Sequence, residues 1–589
     1  MDRLSAIATT GRMTPRDNKI SKVPEKKYIL QLQKSLAEMR IPYEERWKDI
    51  RDYQLPFLGE FSDTEDETNR ARRKDLMIAN GCAWAANCAF AAGIMSGLTP
   101  PSRQWFKFGF SDSSANEDIE AAAILDKRQE VVEYMLHKSN FYNAIYSAYM
   151  ELGYGQAPLG VFASDETGVR YQHYTVGTYY LSGSTGGRVD TFIRRFQMTA
   201  EQLKNQFGID SLPNHVKEVL KGSASVTKKF TTYWIVLPNK VKTPTDIGAG
   251  NMPYISLYYI ENQSETENGG YIYTGGFEEF PVPVARYQVI EGSAYGKGPG
   301  WYAEGDARML QIMKKDLLTA VELMVKPPMK GPADVTNTGG VNLIPGGYTA
   351  INNLAGNNTV EPLFQIPVNP QWLAAEIQKT EESIKRIYSA DLFLMLDSID
   401  TPQMTAREVM ERQQEKLQQL GPVVERLQDE FLSPIIERTY NIAERMGIFE
   451  PIPEEVAERL MNQDIKIEYI SPLAQAQKMS GLVNIEQAVS FVGQIAQLYP
   501  DALKTIDPVG TVKRYFELLG APAIMQRSTE EIEKMIKAEQ EMQQQMQEQQ
   551  QMQMAAQTMA PAAEAAKNLT EATKDGNPAL NNALGLGVM

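Results

Sequence analysis

Two helix-forming stretches separated by about forty turn-rich residues constrain this chain more than any other feature. From Asp306 to Val325, apolar residues recur every three or four positions: Met309, Ile312, Met313, Leu317, Val321 and Met324. That spacing predicts one amphipathic helix. Pro327 and Pro328 end it, because proline lacks the N–H a helix needs and collides with the preceding turn. The insert that follows is dense in turn formers: Gly339-Gly340, Pro345-Gly346-Gly347 and Gly356-Asn357-Asn358. Pro367 and Pro370 close it. Near Gln371 the helical spacing resumes, with Leu373, Ile377, Ile384 and Ile387. Helix, compact insert and helix predict a hairpin that carries a small domain at its tip.

At 589 residues the chain is too long for one core, so several domains are expected. Residues 1–25 are polar, somewhat basic and rich in breakers, which predicts a flexible arm. A helix is predicted from Lys26 to Met39, and another from Pro42, whose ring suits a first helical turn. A small-residue helix should run from Asp75 to Gly97, stopped by Gly97 and Pro100-Pro101. Two more are expected at Glu117–His137 and Tyr142–Leu152. From Gly153 to Ile290 the chain turns rich in Tyr, Thr, Val and Gly. Phe230–Leu237, Tyr254–Ile260 and Tyr271–Thr274 read as strands there. Thr199 and Gln202 form a capping box for one intervening helix.

After an irregular stretch from Asp397 to Met404, Thr405 and Glu408 form a second capping box. Leu417, Leu420, Val424, Leu427, Phe431 and Ile435 then keep helical spacing to Met446. Gly421-Pro422 and Pro434 should kink this helix, and Gly447 should cap it. Further helix is expected from Pro451 and Pro453 to Leu519. From Thr529 a polar helix gives way to a Gln- and Met-rich tract, with Gln543–Gln545, Gln549–Gln551 and Met552. The tract reads as a weak coiled-coil or barrel segment that needs identical neighbours, ahead of an adaptable methionine binding face. Residues past Met559 are expected to be disordered. The fold class expected is α+β, predominantly helical.

The net charge of −15 speaks against a freestanding nucleic-acid binder, which usually carries a basic face. It leaves room for a conduit, since a tunnel that held phosphates tightly would stall the strand passing through it. Cys82 and Cys88 suit neither a disulfide framework nor a zinc site, which points to folding in a reducing cytoplasm. Leu76–Leu98 comes nearest to a membrane span, but Asn80 and Asn87 interrupt it and small residues dominate. No membrane partner is expected.

Catalytic patterns fail. Gly292-Ser293-Ala294-Tyr295-Gly296-Lys297-Gly298 is one residue short of a phosphate loop, and Gly298 stands where Ser or Thr should bind magnesium. A structural turn is the better reading. His137, His173 and His215 show no ligand spacing. The chain has no Gly-x-Ser-x-Gly elbow and no His-Glu-x-x-His. Asp397 and Asp400 could hold a cation, but a lone acidic pair on a loop is more often solvated surface. No enzyme and no cofactor is expected.

Three motifs in order resemble the head-to-tail connectors (portal proteins) of short-tailed bacteriophages. The first is Gly93-Ile-Met-Ser-Gly-Leu-Thr-Pro-Pro-Ser-Arg-Gln-Trp-Phe-Lys-Phe108. The second is Tyr295-Gly-Lys-Gly-Pro299 before a helix ending in Lys326-Pro327-Pro328. The third is Gln403-Met-Thr-Ala-Arg-Glu-Val409, followed by Leu420-Gly-Pro422, Arg426-Leu427 and Arg438. Gly298 and Gly300 depart from the Ser and Ala of the family pattern. The resemblance covers residues 25 to 520, and the Gln-rich C-terminus is its least similar part.

The resemblance implies a closed head-to-tail ring of about twelve copies. Residues 26–302 would form a wing, helical then β-rich. Residues 303–326 and 371–392 would form a two-helix stem, with a clip at 327–370 between them. A tunnel loop would span 393–404, and a long kinked helix 405–446 would lead to a helical crown at 447–528. Residues 529–589 would form a barrel extension and a tail. Such a ring sits at one capsid vertex, at the head–tail junction. It docks the terminase large subunit during packaging and tail adaptor proteins afterwards, contacts major capsid protein and scaffold, and lets double-stranded DNA pass non-specifically. Asp397, Ser398, Asp400 and Gln403 would line the tunnel loop. Lys314, Lys315, Lys379 and Lys385 would form basic rings on the stem, unless they are solvated or pair with Glu381 and Glu382. Asn337, Asn342, Tyr348, Asn352 and Asn357 would lie in the clip. Two other readings are a different structural virion protein of the tail or adaptor, and an enzyme with a non-local site within 153–290.

Overall fold

One continuous helix, α1 (Lys26–Tyr53), replaces the two expected around Pro42. A proline inside a helix costs about 3 kcal/mol. Packing on both sides of Pro42 offsets that cost. Ile29 and Leu36 are buried in one apolar core, Trp47 and Ile50 in another. Between them, Arg40 donates to the carbonyls of Gly177 and Tyr179, both at 2.9 Å.

The structure is a computed structural model that describes residues 23–61, 77–110, 119–184, 186–240, 251–263, 268–290, 292–332, 341–351, 360–364, 370–390, 420–452 and 465–470, with scattered positions beyond 484. The chain divides into two compact units. Met1–Gly109, Leu125–Pro453 and Lys466–Gly520 form one; Phe110–Ile124, Glu454–Ile465 and Ala521–Met589 form the other. Little of the second is described beyond its share of a helix that starts at Ile119. Everything below concerns the first.

The small-residue helix α2 (Cys82–Leu98) starts later than its composition suggested. Gln311 Oε1 accepts the N–H groups of Ala79 and Asn80, both at 2.7 Å, and Asn80 Oδ1 accepts that of Cys82 at 2.8 Å. Those bonds hold the backbone before Cys82 outside the helix. Strand β1 (Phe106–Phe110) follows, then α3 (Ile119–Lys138) and α4 (Phe141–Glu151), close to their expected positions.

The β-rich region contains more strands than the sequence showed. Strand β2 (Gln156–Ser164) lies between β3 (Gly168–His173) and a later strand, β9 (Val284–Arg286), antiparallel to both. β4 (Tyr179–Gly183), β5 (Val189–Thr199), β6 (Lys229–Pro238), β7 (Tyr254–Ile260) and β8 (Tyr273–Phe277) form an antiparallel meander in chain order. Both faces of this meander are buried. Phe192, Trp234 and Tyr258 face one core; Ile193, Ile235 and Leu257 face the other, which also holds Ile29 and Leu36 of α1. Strands covered on both faces read as nearly continuous apolar runs, which is why β6 and β7 were legible. Helices α5 (Ala200–Phe207) and α6 (Asn214–Leu220) lie between β5 and β6, and the Thr199–Gln202 capping box is fully formed.

After β9, a short helix α7 (Pro299–Tyr302) leads into α8 (Glu304–Val325). A small sheet comes next, β10 (Met329–Pro332) flanked by β11 (Tyr348–Ile351), parallel, and β12 (Glu361–Pro362), antiparallel. Helix α9 (Pro370–Ile387) returns. The capping box at Thr405 and Glu408 lies outside the described residues. From Leu420 the chain is helical. Instead of a plain kink at Pro434 it forms a π-turn, Gln428–Leu432, before α10 (Ser433–Arg445). The cap at Gly447 has the expected left-handed form, φ +68°. Gly447 N–H donates to Glu444 C=O and Ile448 N–H to Ala443 C=O, both at 3.0 Å, the two bonds of a Schellman motif. Strand β13 (Ile465–Tyr469) pairs with β1.

Candidate functional site

The helix–insert–helix segment is rooted in the body by polar contacts around its base. Glu304, in the first turn of α8, accepts with both carboxylate oxygens from Nη1 of Arg46 on α1, at 2.8 and 2.9 Å. Arg308 reaches the same carboxylate at 3.0 Å and also pairs with Asp49. Gln311 is almost fully buried and binds the backbone ahead of α2, with its amide also donating to Asn80 C=O at 2.9 Å. From α9, Glu381 accepts from Asn80 Nδ2 at 2.6 Å. Tyr388 donates to Gln54 Oε1 at 2.9 Å, and Gln54 donates to Gly300 C=O at 2.9 Å. These side chains come from four separate parts of the chain, and they fix where the two helices start and finish.

The glycine-rich stretch before α8 is the structural turn expected of it. Lys297 bridges back to Gln288, and Gly298 presses against the chain after α4. A Cβ on Gly298 would lie 2.2 Å from the carbonyl oxygen of Leu152. Facing it, Gly155 has φ +119°, and a Cβ there would lie 2.3 Å from Gly296 O. No side chain fits in this contact, which accounts for glycine at position 298.

Ser383 of α9 bonds Asp306 of α8 at 2.7 Å, so the late part of one helix meets the early part of the other and the pair is antiparallel. Near the base, Ala303, Ala307 and Leu310 are buried. Farther along, Leu318, Val321 and Val325 continue that same side of the helix but lie 57, 43 and 72% exposed. Ile312 is 58% exposed. It lies nine positions before Val321, and at 100° per residue nine positions put the two side chains on opposite sides. Trp372 at the start of α9 is exposed too, as are Val341, Leu343 and Ile344 of the insert. The hairpin therefore shows uncovered apolar side chains on two flanks and at its tip.

The candidate basic residues fall on this hairpin. Lys314 and Lys385 are half-buried; Lys315 and Lys379 are exposed. Lys379 pairs with Glu376 at 3.3 Å. Among the described residues Lys314, Lys315 and Lys385 form no ion pair. Glu381 binds Asn80 and Glu382 binds Gln378, so neither takes the lysine partner considered for it. In the insert, Asn342 Oδ1 accepts from Ile344 N–H at 3.2 Å and Tyr348 opens β11. Asn337, Asn352 and Asn357 lie outside the described residues. So do Asp397, Ser398, Asp400 and Gln403.

The histidines are dispersed. His137 packs on Tyr142 and His215 on Phe230, while His173 is partly buried with Nε2 3.8 Å from Glu151. Among the described residues, no group of three or more His, Cys, Asp or Glu is placed to hold a metal ion, and no helix is long and apolar enough to cross a membrane.

The family described as bacteriophage head to tail connecting protein matches residues 26–526. The chain belongs to that family. This connector is 32% identical over 527 residues to the portal protein of Salmonella phage epsilon15, which covers 88% of this chain and 93% of that one. It is 31% identical over 497 residues to the probable portal protein of Bordetella phage BPP-1, covering 84% and 88%. The stretch matched as a connector includes the helix pair, the insert and the β-rich body alike. The base contacts of the connector hairpin were not legible in the sequence. Arg46, Gln54 and Asn80 carry no local signal, because their partners lie hundreds of positions away.

Proposed function

We propose that this connector is the portal subunit of a short-tailed phage, a ring-forming conduit for double-stranded DNA at one capsid vertex. The portal names of its relatives over most of their length support the role. The observation that carries the ring is the pair of uncovered apolar flanks on α8. Apolar surface of this extent marks an interface. Two different flanks suit a head-to-tail ring, in which each copy offers one side to the copy before it and another to the copy after. In this reading α8 and α9 are the stem, residues 327–370 the clip, residues 26–302 the wing, and residues 447–528 the crown.

The portal supplies no chemistry of its own. The clip docks the terminase large subunit while DNA enters, and tail adaptors replace it afterwards. Scaffold and major capsid protein surround the ring as the head assembles in the host cytoplasm. Lys314, Lys315, Lys379 and Lys385 damp the passing strand. Asp397, Ser398, Asp400 and Gln403 line the narrowest part, and an acidic wall keeps phosphates from sticking. Asn342 and Tyr348 belong to the docking face, with Asn337, Asn352 and Asn357.

Single-particle imaging of the purified protein, with its mass, tests the proposal. A closed ring of about twelve copies around a channel wide enough for a duplex supports it. Failure to form any ring, even with scaffold and capsid protein present, overturns it.

A further inference from the structure

Strand β6 joins two unlike surfaces. At its start, residues 221–229 bring the chain in from α6 through a short 3₁₀ turn, Ser223–Ser225. This stretch holds three lysines, Lys221, Lys228 and Lys229, and no acidic residue. All three are exposed, and among the described residues none forms an ion pair. Between them in sequence, Val226 is 61% exposed. From Lys229 to Pro238 the strand spans about 30 Å. At that far end lies a cavity of about 450 Å³.

The cavity is bounded by the start of β5, the end of β6, the start of β7 and one side of α10. Tyr254 and Phe280, with ring centroids 5.4 Å apart, give it an apolar wall. Four carboxylates line it: Asp190, Glu279, Glu430 and Glu437. Arg438 and Arg445 hold Glu279, and Arg286 holds Glu430. The other arginine of the lining, Arg188, is taken by Asp429. Asp190 and Glu437 form no ion pair among the described residues. Partial burial pushes the Glu437 carboxyl above its ordinary pKa, and Arg188 only partly offsets this. A cation carried beside an apolar group would satisfy both carboxylates and the aromatic wall. Residues 221–229 carry that combination, but in one chain they lie at the opposite end of the same strand. Only a second copy can bring the two together.

We propose that residues 221–229 of one copy enter this cavity of the next, placing lysine ammonium groups against Asp190 and Glu437 and Val226 against Tyr254 and Phe280. A knob at one end of a strand and a socket at the other make a heterologous pair, and repeating it gives a head-to-tail series. The contact deepens the ring reading and rests on it for closure of that series. It uses none of the residues on the flanks of α8.

Carbodiimide coupling of the full-length protein, mixed from isotopically heavy and light preparations, tests the contact. The reagent joins a lysine amine to a carboxylate it touches, with loss of water. Amide links from Lys221, Lys228 or Lys229 of one copy to Asp190 or Glu437 of another are expected, in products that run past two copies. Glu437→Lys, and separately Lys228→Glu with Lys229→Glu, should weaken self-association on the order of tenfold in native mass measurements, because each sets like charges together. Combining all three substitutions in one chain should restore part of it. Absence of the inter-copy links overturns the contact, and so does self-association unmoved by either charge reversal. Links that stop at two copies mean a reciprocal dimer and overturn it as well. A closed ring without the links sinks this contact and leaves the portal proposal standing. Linked copies in open chains that never close support the contact and count against the portal.

Discussion

Ser383 donates its hydroxyl to Asp306 at 2.7 Å, and this one bond sets the antiparallel pairing of α8 and α9 where they leave the body. Next to it, Glu304 holds Arg46 and Arg308 together. Ser383→Ala should cost about 1 kcal/mol of stability, the net worth of one hydrogen bond. Glu304→Gln should cost more, about 1–3 kcal/mol, because two guanidinium groups lose their shared charge partner at a mostly buried carboxylate. Chemical denaturation checks both, and the ranking of the two variants is the decisive part.

Arg438 is buried, and desolvation lowers its pKa to about 10 even with Glu279 beside it. Glu279→Gln should destabilise the fold by about 3–5 kcal/mol, since it leaves a buried charge without its partner. The double variant Glu279→Gln with Arg438→Leu should recover part of that loss. A double variant no more stable than the first single one would mean that packing, not charge, dominates at this junction.

Acid should weaken the fold through His173. Burial lowers its pKa from 6.5 to about 4, although the Glu151 carboxylate lies 3.8 Å away. The unfolded chain therefore takes up a proton at a pH where the folded chain does not. This contribution is fully present above about pH 6.5 and is lost as pH falls towards 4, by about 3 kcal/mol in all. His173→Gln cannot titrate, so the difference in unfolding free energy between wild type and variant should change across that window. A constant difference would rule the histidine out as its source.

Features set by neighbours in the sequence were legible, and those set by distant partners were not. Thr199 and Gln202 form their capping box because both ends of it lie within one turn. Strands β6 and β7 announced themselves through Ile, Val and Tyr. The start of α2 was misplaced because Gln311, some 230 positions away, takes the N–H groups that would have extended it. Pro42 misled for a related reason: it would break an isolated helix, but α1 is clamped on both sides by buried residues. The π-turn at Gln428–Leu432 shows in the sequence only as Pro434, which predicts a kink but not the widened turn it takes. The hairpin itself could be read from periodicity and its proline borders. The side chains that root it could not.

The candidate channel lysines yield a separable effect. Lys314→Glu with Lys315→Glu reverses charge on a stretch where neither lysine forms an ion pair among the described residues. Stability should change by about 1 kcal/mol or less, since neither lysine loses an ion-pair partner. Rings should still assemble, while retention of packaged DNA should change. Normal packaging and retention in particles carrying the variant would remove both residues from the channel lining.

Charge placed on the flanks of α8 should separate assembly from folding. Ile312 and Val321 project from opposite sides of the helix and are already largely exposed in the single subunit. Ile312→Asp or Val321→Asp therefore removes little from the subunit's own core and should leave its unfolding midpoint nearly unchanged. In a head-to-tail ring each substitution is repeated at every contact. Burying an apolar side chain of this size contributes about 1.5–3 kcal/mol, and an unpaired carboxylate there adds a desolvation cost. Either variant should therefore shift the protein from ring to free subunit in native mass measurements. Because the two flanks meet each other across one interface, mixing the two variants should not restore the ring, whereas pairing Val321→Asp with Ile312→Lys in the same chain should recover part of it if those residues face one another between copies. Rings that form normally with both aspartates would show that the flanks of α8 are not the subunit interface.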